Sequence, residues 1–280
     1  MAFHIHLISD STGETIENIA GACLAQFEGV EVKKHHWHLI KTMRLLNTVK
    51  ENIKNTNCLV LYTLVNTDLR YDLEKFCKDN NIPCIAVLRS VLIGMMDLFQ
   101  AEPTHNIGRQ HILDDKYFAR IDAIDFTMEH DDGRGIDTIE KADIVVLGVS
   151  RTSKTPTCFY LACKGYKAAN IPFVTGVNLD YVRELKNPII IGLTRDMGSL
   201  IAIRKNRLLS LNETRETSYT EPEMVREEMQ EARRFFSKIG CHVIDVSRKS
   251  IEETSSEILM LLSAVKAARK LKEGKNVFPS

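Results

Sequence analysis

The 280-residue chain has no unbroken apolar run of about 18 residues, so no segment reads as a membrane span. Its start, Met1 to Thr15, lacks both a basic leader and a long apolar stretch, which excludes a secretory signal there. No Cys-x-x-Cys pair occurs. The seven cysteines, at 23, 58, 77, 84, 158, 163 and 241, are scattered and odd in number, which fits reduced thiols in a cytoplasm better than a disulfide framework. Net charge is also missing: 37 basic residues meet 37 acidic ones, so no global field draws the chain to nucleic acid and any basic site must be local. What is present, 44% apolar and 26% charged residues, is the balance of a globular protein able to bury a sizeable core.

Two stretches alternate strand-like and helix-like segments. In the first, strands are expected at Phe3–Ile8, Val30–Leu39, Cys58–Leu64 and Ile82–Leu88, with helices near 14–27, 42–53, 69–78 and 91–99 between and after them. Ser11 and Glu14 have the spacing of a capping box for the first of these helices. A helix at Tyr117–Glu129 runs into His130-Asp-Asp-Gly133, where the pattern breaks. The second alternation has strands at Asp143–Leu147, Ile171–Val174, Pro188–Leu193 and Cys241–Val246. Its helices are expected to about Gly165, over Ser199–Leu209 and Pro222–Ile239, and after a Ser250–Glu253 capping box. The expected fold is two α/β lobes with mostly parallel sheets, divided into residues 1–135 and 136–280. No internal repeat is visible.

The chemistry concentrates after the strand at 143–147. Gly148-Val149-Ser150-Arg151-Thr152-Ser153-Lys154-Thr155 follows the P-loop pattern, strand then G-x-x-x-x-G-K-[ST] then helix, with Ser153 in place of the second glycine. Backbone N–H groups and a helix N-terminus suit an anion there. Lys154 can neutralise phosphate charge, Arg151 adds a planar fork, and the Thr155 hydroxyl is placed for Mg²⁺. Serine resists the positive φ a glycine would take. No strand-end acid of the Walker-B kind follows, and the next acid after the strand at 188–193 is Asp196.

Gly148 to Pro156, with Gly165-Tyr-Lys-Ala-Ala-Asn-Ile-Pro172 behind it, resembles the bifunctional regulatory proteins of pyruvate, phosphate dikinase and phosphoenolpyruvate synthetase. Ser9-Asp-Ser-Thr-Gly-Glu-Thr15, His130-Asp-Asp-Gly133, Gly192-Leu-Thr194, and Ile203-Arg204 with Arg207 match the same family, from about residue 4 to 260. Serine at 153 is normal for that family. The resemblance implies a cytoplasmic homodimer running two reactions. In one, ADP phosphorylates a threonine beside the target's catalytic histidine and leaves as AMP. In the other, orthophosphate removes that phosphoryl group as pyrophosphate. Such a phosphothreonine carries about −1.5 to −2 charges, a plausible off-switch beside a histidine that must itself be phosphorylated.

Within this frame Asp131 and Asp132 are candidate bases or metal ligands, and Lys154 the candidate catalytic cation. Asp10, Ser11, Thr12 and Gly13 form a second glycine-hydroxyl turn for phosphate or target. Arg204 and Arg207 could steer an acidic or phosphorylated partner, against the simpler reading of a solvated basic face. The histidines at 4, 6, 35, 36 and 38 alternate along strands without carboxylates or cysteines at ligand spacing, which fits a half-buried strand better than zinc. Dikinase or synthetase as target stays open. A small-molecule P-loop kinase and a non-catalytic nucleotide sensor are the competing readings.

Overall fold

The computed structural model describes residues 3–54, 57–104, 115–211 and 219–275. The chain forms two compact units, residues 1–112 and 113–280.

The first unit runs β1 (Phe3–Ser9), α1 (Glu14–Leu24), β2 (Val32–Trp37), α2 (Met43–Ile53), β3 (Cys58–Thr63), α3 (Thr67–Asp79), β4 (Cys84–Ala86) and α4 (Arg89–Phe99). Its sheet has the order β2-β1-β3-β4, all parallel. Strand side chains alternate between faces. Ile8, Val60 and Tyr62 therefore pack on Leu46, Val49, Leu69 and Leu73 of α2 and α3, while Leu7 and Leu61 pack on Ile16 and Ala20 of α1.

The second unit opens with α5 (Asp115–Glu129) and a 3₁₀ turn at Ile136–Lys141. It continues with β5 (Ile144–Gly148), α6 (Lys154–Cys163), β6 (Ala168–Pro172), a second 3₁₀ turn (Asp180–Glu184), β7 (Ile189–Thr194), α7 (Met197–Ser210), α8 (Pro222–Ile239), β8 (His242–Asp245) and α9 (Ile251–Lys275). The order is β6-β5-β7-β8, again parallel throughout. Every residue of β5 is buried, as its continuous apolar run requires of a strand covered on both faces. No helix among the described residues is long and apolar enough to cross a membrane.

The α/β architecture with parallel sheets is the one the sequence pattern predicts. Local details differ. Helix α5 packs on α6 and β6, and Thr127 Oγ1 donates to the Ala168 carbonyl at 2.8 Å. That helix thus lies with the second unit, and the break between units falls at 112/113, upstream of 135. The capping box at Ser11 does not form. Gly13 is the N-cap of α1, at φ 80° and without a side-chain cap bond. A Cβ on Gly13 would sit 1.9 Å from His38 Nδ1, so the approach of that imidazole, as well as φ, demands glycine. The box at Ser250 does form: the Glu253 N–H donates to Ser250 Oγ at 3.1 Å and the Ser250 N–H to Glu253 Oε2 at 2.8 Å. Strand β4 is shorter than expected, because the Ile82 N–H closes the end of α3 on the Cys77 carbonyl and Pro83 has no N–H to give. Strand β6 starts earlier than expected, since pairing with Ile144 to Gly148 recruits Ala168, Ala169 and Asn170 despite their weak strand propensity.

Candidate functional site

In an open parallel sheet the crevice beyond the strands' carboxyl ends, where the order reverses, is the place for a ligand. In the second unit β6 lies on one side of β5 and β7 on the other, so the reversal falls between the turns that follow β5 and β7. An open cleft of about 460 Å³ lies there, lined by Asp131, Asp132, Arg151, Lys154, Asn170 and Arg195 among others.

The turn after β5 starts at Gly148, where a Cβ would meet Thr152 Oγ1 at 2.6 Å and the Leu193 carbonyl at 2.9 Å. Only glycine lets Thr152 fold under the turn, where its buried hydroxyl donates to the Val149 carbonyl at 2.9 Å. Arg151 and Ser153 take φ of 72° and 64°. Ser153 thus adopts the left-handed conformation expected of the missing glycine, at a cost of about 1–2 kcal/mol for a residue with a Cβ. Left-handed residues in a turn are what curl successive N–H groups into an anion-binding concavity. Helix α6 then begins at Lys154, with no side-chain cap bond from Ser153. Cys158 and Leu161, both fully buried, seat the helix on the sheet, whereas Cys163 is exposed.

Lys154 is 7% exposed, and its Nζ donates to the Val149 carbonyl at 3.0 Å. Burial lowers its pKa from 10.5 to about 8, although Asp132, Cys158, Asp131 and Glu228 pull it back up. The acids come from the corner after α5. His130 is buried there, its ring stacked on Phe126 with centroids 3.7 Å apart. Its nitrogens lie 2.7 Å from the Phe126 carbonyl and 2.8 Å from Thr138 Oγ1. Pinned this way, the corner places Asp131 Oδ1 3.0 Å from Thr155 Oγ1, which donates to it, and 2.6 Å from Asn170 Nδ2. Asp132 is exposed, at φ 55°.

The remaining candidates separate. Arg195, directly after β7, donates from Nη2 to Ser153 Oγ at 3.2 Å. Neither Arg151 nor Arg195 has a carboxylate at ion-pair distance among the described residues. Asp196 caps α7 by accepting the Ser199 N–H at 2.9 Å, and the Ser199 hydroxyl, which donates to the same carboxylate, holds it below the usual range. Arg204 does not face a partner. It is 1% exposed and donates to Glu228 Oε2 at 2.7 Å, the Tyr219 carbonyl at 3.1 Å and the Ser150 carbonyl at 3.2 Å. It is therefore a clamp behind the turn, assisted by Ser150 Oγ and the Tyr219 hydroxyl 2.9 Å apart. Arg207 is exposed on the same helix. In the first unit, buried Asp10 accepts the Val65 N–H at 2.6 Å, the Ser11 N–H donates to Ser9 Oγ at 3.1 Å, and Thr12 is exposed.

The structure thus gathers Gly148 to Thr155 with Asp131 and Asp132, and adds Asn170 and Arg195, which sequence reasoning passed over. Arg195 could have been found by asking what ends the strand across the order reversal from Gly148. Asn170 lies inside the Gly165–Pro172 stretch that carries the family resemblance, but nothing local in that stretch marks its side chain as part of the site. Chemically, unpaired cations facing two carboxylates can bind a polyanion and manage a proton beside it.

The kinase/pyrophosphorylase family profile matches residues 5–259. A relative from Paramagnetospirillum magneticum, named as a candidate pyruvate, phosphate dikinase regulatory protein, is 47% identical over 99% of this chain and 89% of its own length. A protein of the same name from Novosphingobium aromaticivorans is 48% identical over 95% of both chains, and one from Rhodospirillum rubrum is 43% identical over 92% and 94%. With a turn, a buried lysine and an acid pair assembled in one cleft, and with likeness along nearly its whole length, the chain belongs to the kinase/pyrophosphorylase family.

Proposed function

We propose that this chain is a bifunctional regulator that inactivates a pyruvate, phosphate dikinase by ADP-dependent phosphorylation of an active-site threonine, and reactivates it by phosphate-dependent dephosphorylation. The observation that carries the reading is the cleft itself: buried Lys154, with Arg151 and Arg195 that have no carboxylate at ion-pair distance among the described residues, lines it together with Asp131 and Asp132. The names of the relatives supply the class of target.

In the kinase direction the diphosphate of ADP lies along the turn from Gly148 to Thr155. Lys154 and the two arginines offset the charge that develops on the moving phosphoryl group. Asp131 or Asp132 takes the proton of the threonine hydroxyl as its oxygen bonds to phosphorus and AMP departs. In the other direction an orthophosphate oxygen attacks the phosphothreonine, the phosphorus–threonine bond breaks, and the same carboxyl returns a proton to the threonine oxygen while pyrophosphate leaves. Orthophosphate matches the β-phosphate in size, so one turn could serve both.

For Mg²⁺ the residues fit in the sparse manner that ion favours, one or two carboxylates completed by substrate phosphates. Among the described residues no three His, Cys, Asp or Glu side chains cluster as ligands. Asp132 and the Thr155 hydroxyl would hold the ion, which would supply charge neutralisation at the phosphoryl oxygens. A cytoplasmic homodimer remains part of this proposal on family resemblance.

Incubation of the purified chain with ADP and a dikinase, and separately with a phosphoenolpyruvate synthetase, followed by phosphothreonine mapping, tests the reading. Transfer to the dikinase is expected. Transfer to the synthetase alone would move the target. ADP binding without transfer to either would leave a nucleotide sensor, and transfer only to a small molecule a P-loop kinase of another kind.

A further inference from the structure

Asn170 stands on β6, 2% exposed, yet borders the cleft. Its backbone brackets the acid corner: its N–H donates to the His130 carbonyl at 2.9 Å, and its carbonyl accepts the Gly133 N–H at 2.9 Å. Its side chain then closes a triangle. Nδ2 donates to Asp131 Oδ1 at 2.6 Å and to Thr155 Oγ1 at 2.9 Å, while Thr155 Oγ1 donates to Asp131 Oδ1 at 3.0 Å. Three segments distant in sequence (the end of α5, β6 and the first turn of α6) meet on one amide.

The other end of that amide is telling. Asn170 Oδ1 is buried and has no hydrogen-bond partner among the described residues. A buried acceptor left unmade costs about 1–3 kcal/mol. Turning the amide over would set its carbonyl against the Asp131 carboxylate, which is worse. The orientation is therefore dictated by the two bonds Nδ2 makes.

We propose that Asn170 is a positioning residue for phosphoryl transfer, fixing the Asp131 carboxylate and the Thr155 hydroxyl in one register. With Oδ1 of Asp131 occupied by two donors, its Oδ2 is the oxygen left for the reacting hydroxyl. With the Thr155 proton directed at Asp131 and one lone pair of Oγ1 taken by Asn170, the other lone pair is left for a cation on the phosphate side. Misplacement of a reacting group by about 1 Å can cost about 10²-fold in rate, so a rigid amide at this junction acts on turnover more than on binding. The inference rests on the proposed function above.

The test is a double-mutant cycle read on transfer to the dikinase threonine. Asn170→Asp keeps the size but replaces a donor with an acceptor facing Asp131, and Asn170→Ala removes the amide. Each should lower kcat by about 10²-fold, with ADP affinity by calorimetry changed less than about threefold. In an Asp131→Ala background, Asn170→Ala should cost well under its full ~10²-fold, because one of the two groups it positions is gone and only the hold on Thr155 is left to lose. Thermal unfolding of every variant accompanies the rates. The inference is overturned if both Asn170 variants turn over at the wild-type rate, or if the Asn170 and Asp131 losses multiply independently. It is also overturned if kcat falls only in proportion to the fraction unfolded, and should Asn170→Ala fail to fold, Asn170→Asp carries the cycle. If the wild-type chain itself transfers nothing from ADP to a threonine, the function proposed above fails first and takes this inference with it.

Discussion

The two units are built to one plan and finish the turn after the first strand differently. Both sheets are four-stranded and parallel, and both place the first strand between the second and the third. Each therefore has a turn after its first strand at the reversal of strand order, facing the end of its third strand. In the first unit that turn is tied by an acid: Asp10 takes the Val65 N–H. In the second it is tied by a base: Arg195 reaches Ser153. The first is sealed by hydrogen bonds of its own chain, with His38 filling the space beside Gly13. Among the described residues, the second keeps Arg151, Arg195 and Lys154 without carboxylate partners at ion-pair distance. Topology nominates a location; a handful of side chains decides whether a polyanion can use it.

The largest effect is expected at the basic turn. Lys154→Ala should reduce transfer to the target threonine by about 10³-fold, measured as initial rates at saturating ADP, with the fold intact by circular dichroism. Wild-type rates in this variant would erase the contrast between the units. Next, Arg204→Ala should cost about 3–5 kcal/mol in urea unfolding, because Glu228 would lose its buried partner and the Ser150 carbonyl its donor. Asp10→Ala removes the buried acceptor of the half-buried Val65 N–H and should cost about 1 kcal/mol with kcat and ADP affinity nearly unchanged. Loss of transfer in a folded Asp10→Ala protein would mean that the first turn also serves the reaction.

Acidity sharpens the comparison further. Lys154 has its pKa lowered to about 8 from 10.5, chiefly by burial. Between those values the unfolded chain holds this proton and the folded chain does not, so its contribution to stability rises with pH across that window. Below about 8 it is charged and the burial penalty stands in full. A diphosphate wants the charged form. ADP affinity should therefore be flat between about pH 7 and 8, where the ADP phosphates stay fully ionised, and fall up to about tenfold per unit above that range, with Lys154→Ala flat over the same titration. The smallest effect belongs to exposed Arg207: Arg207→Ala should change stability by less than about 0.5 kcal/mol and ADP affinity not at all, and any effect should appear only in the KM for the protein target.

The second-unit turn was legible in the sequence because its signal is local: a buried run, Gly148, and Ser153-Lys154-Thr155 before a helix. The parallel architecture was legible for the same reason, one segment at a time. What failed to show depends on partners distant along the chain. Ser11 and Glu14 have capping spacing, but the Ser11 N–H finds Ser9 Oγ and the Ser11 carbonyl takes the Leu39 N–H, so the helix starts at Gly13. Arg204 looks like a surface base until Glu228 and Tyr219 close over it. Asn170 meets Asp131 and Thr155 only when β6 pairs with β5 and α5 packs on β6 and α6. The shared strand order of the units has no counterpart in sequence repetition, because sheet topology requires only the pattern of buried strands and covering helices.

Serine at 153 changes the turn's freedom to move. A glycine there would relax the left-handed strain of about 1–2 kcal/mol, yet it would have no hydroxyl for Arg195 and would widen the unfolded ensemble at a cost of about 0.4–1 kcal/mol. These terms nearly cancel, so Ser153→Gly is close to neutral for stability. It is not neutral for fluctuation: the tether from the β7 side goes, and amide hydrogens at the start of α6 should exchange with solvent faster. Under the function proposed above, in which either of two phosphate donors or acceptors enters one turn and is held still, a hinge that is stiff at rest is an advantage.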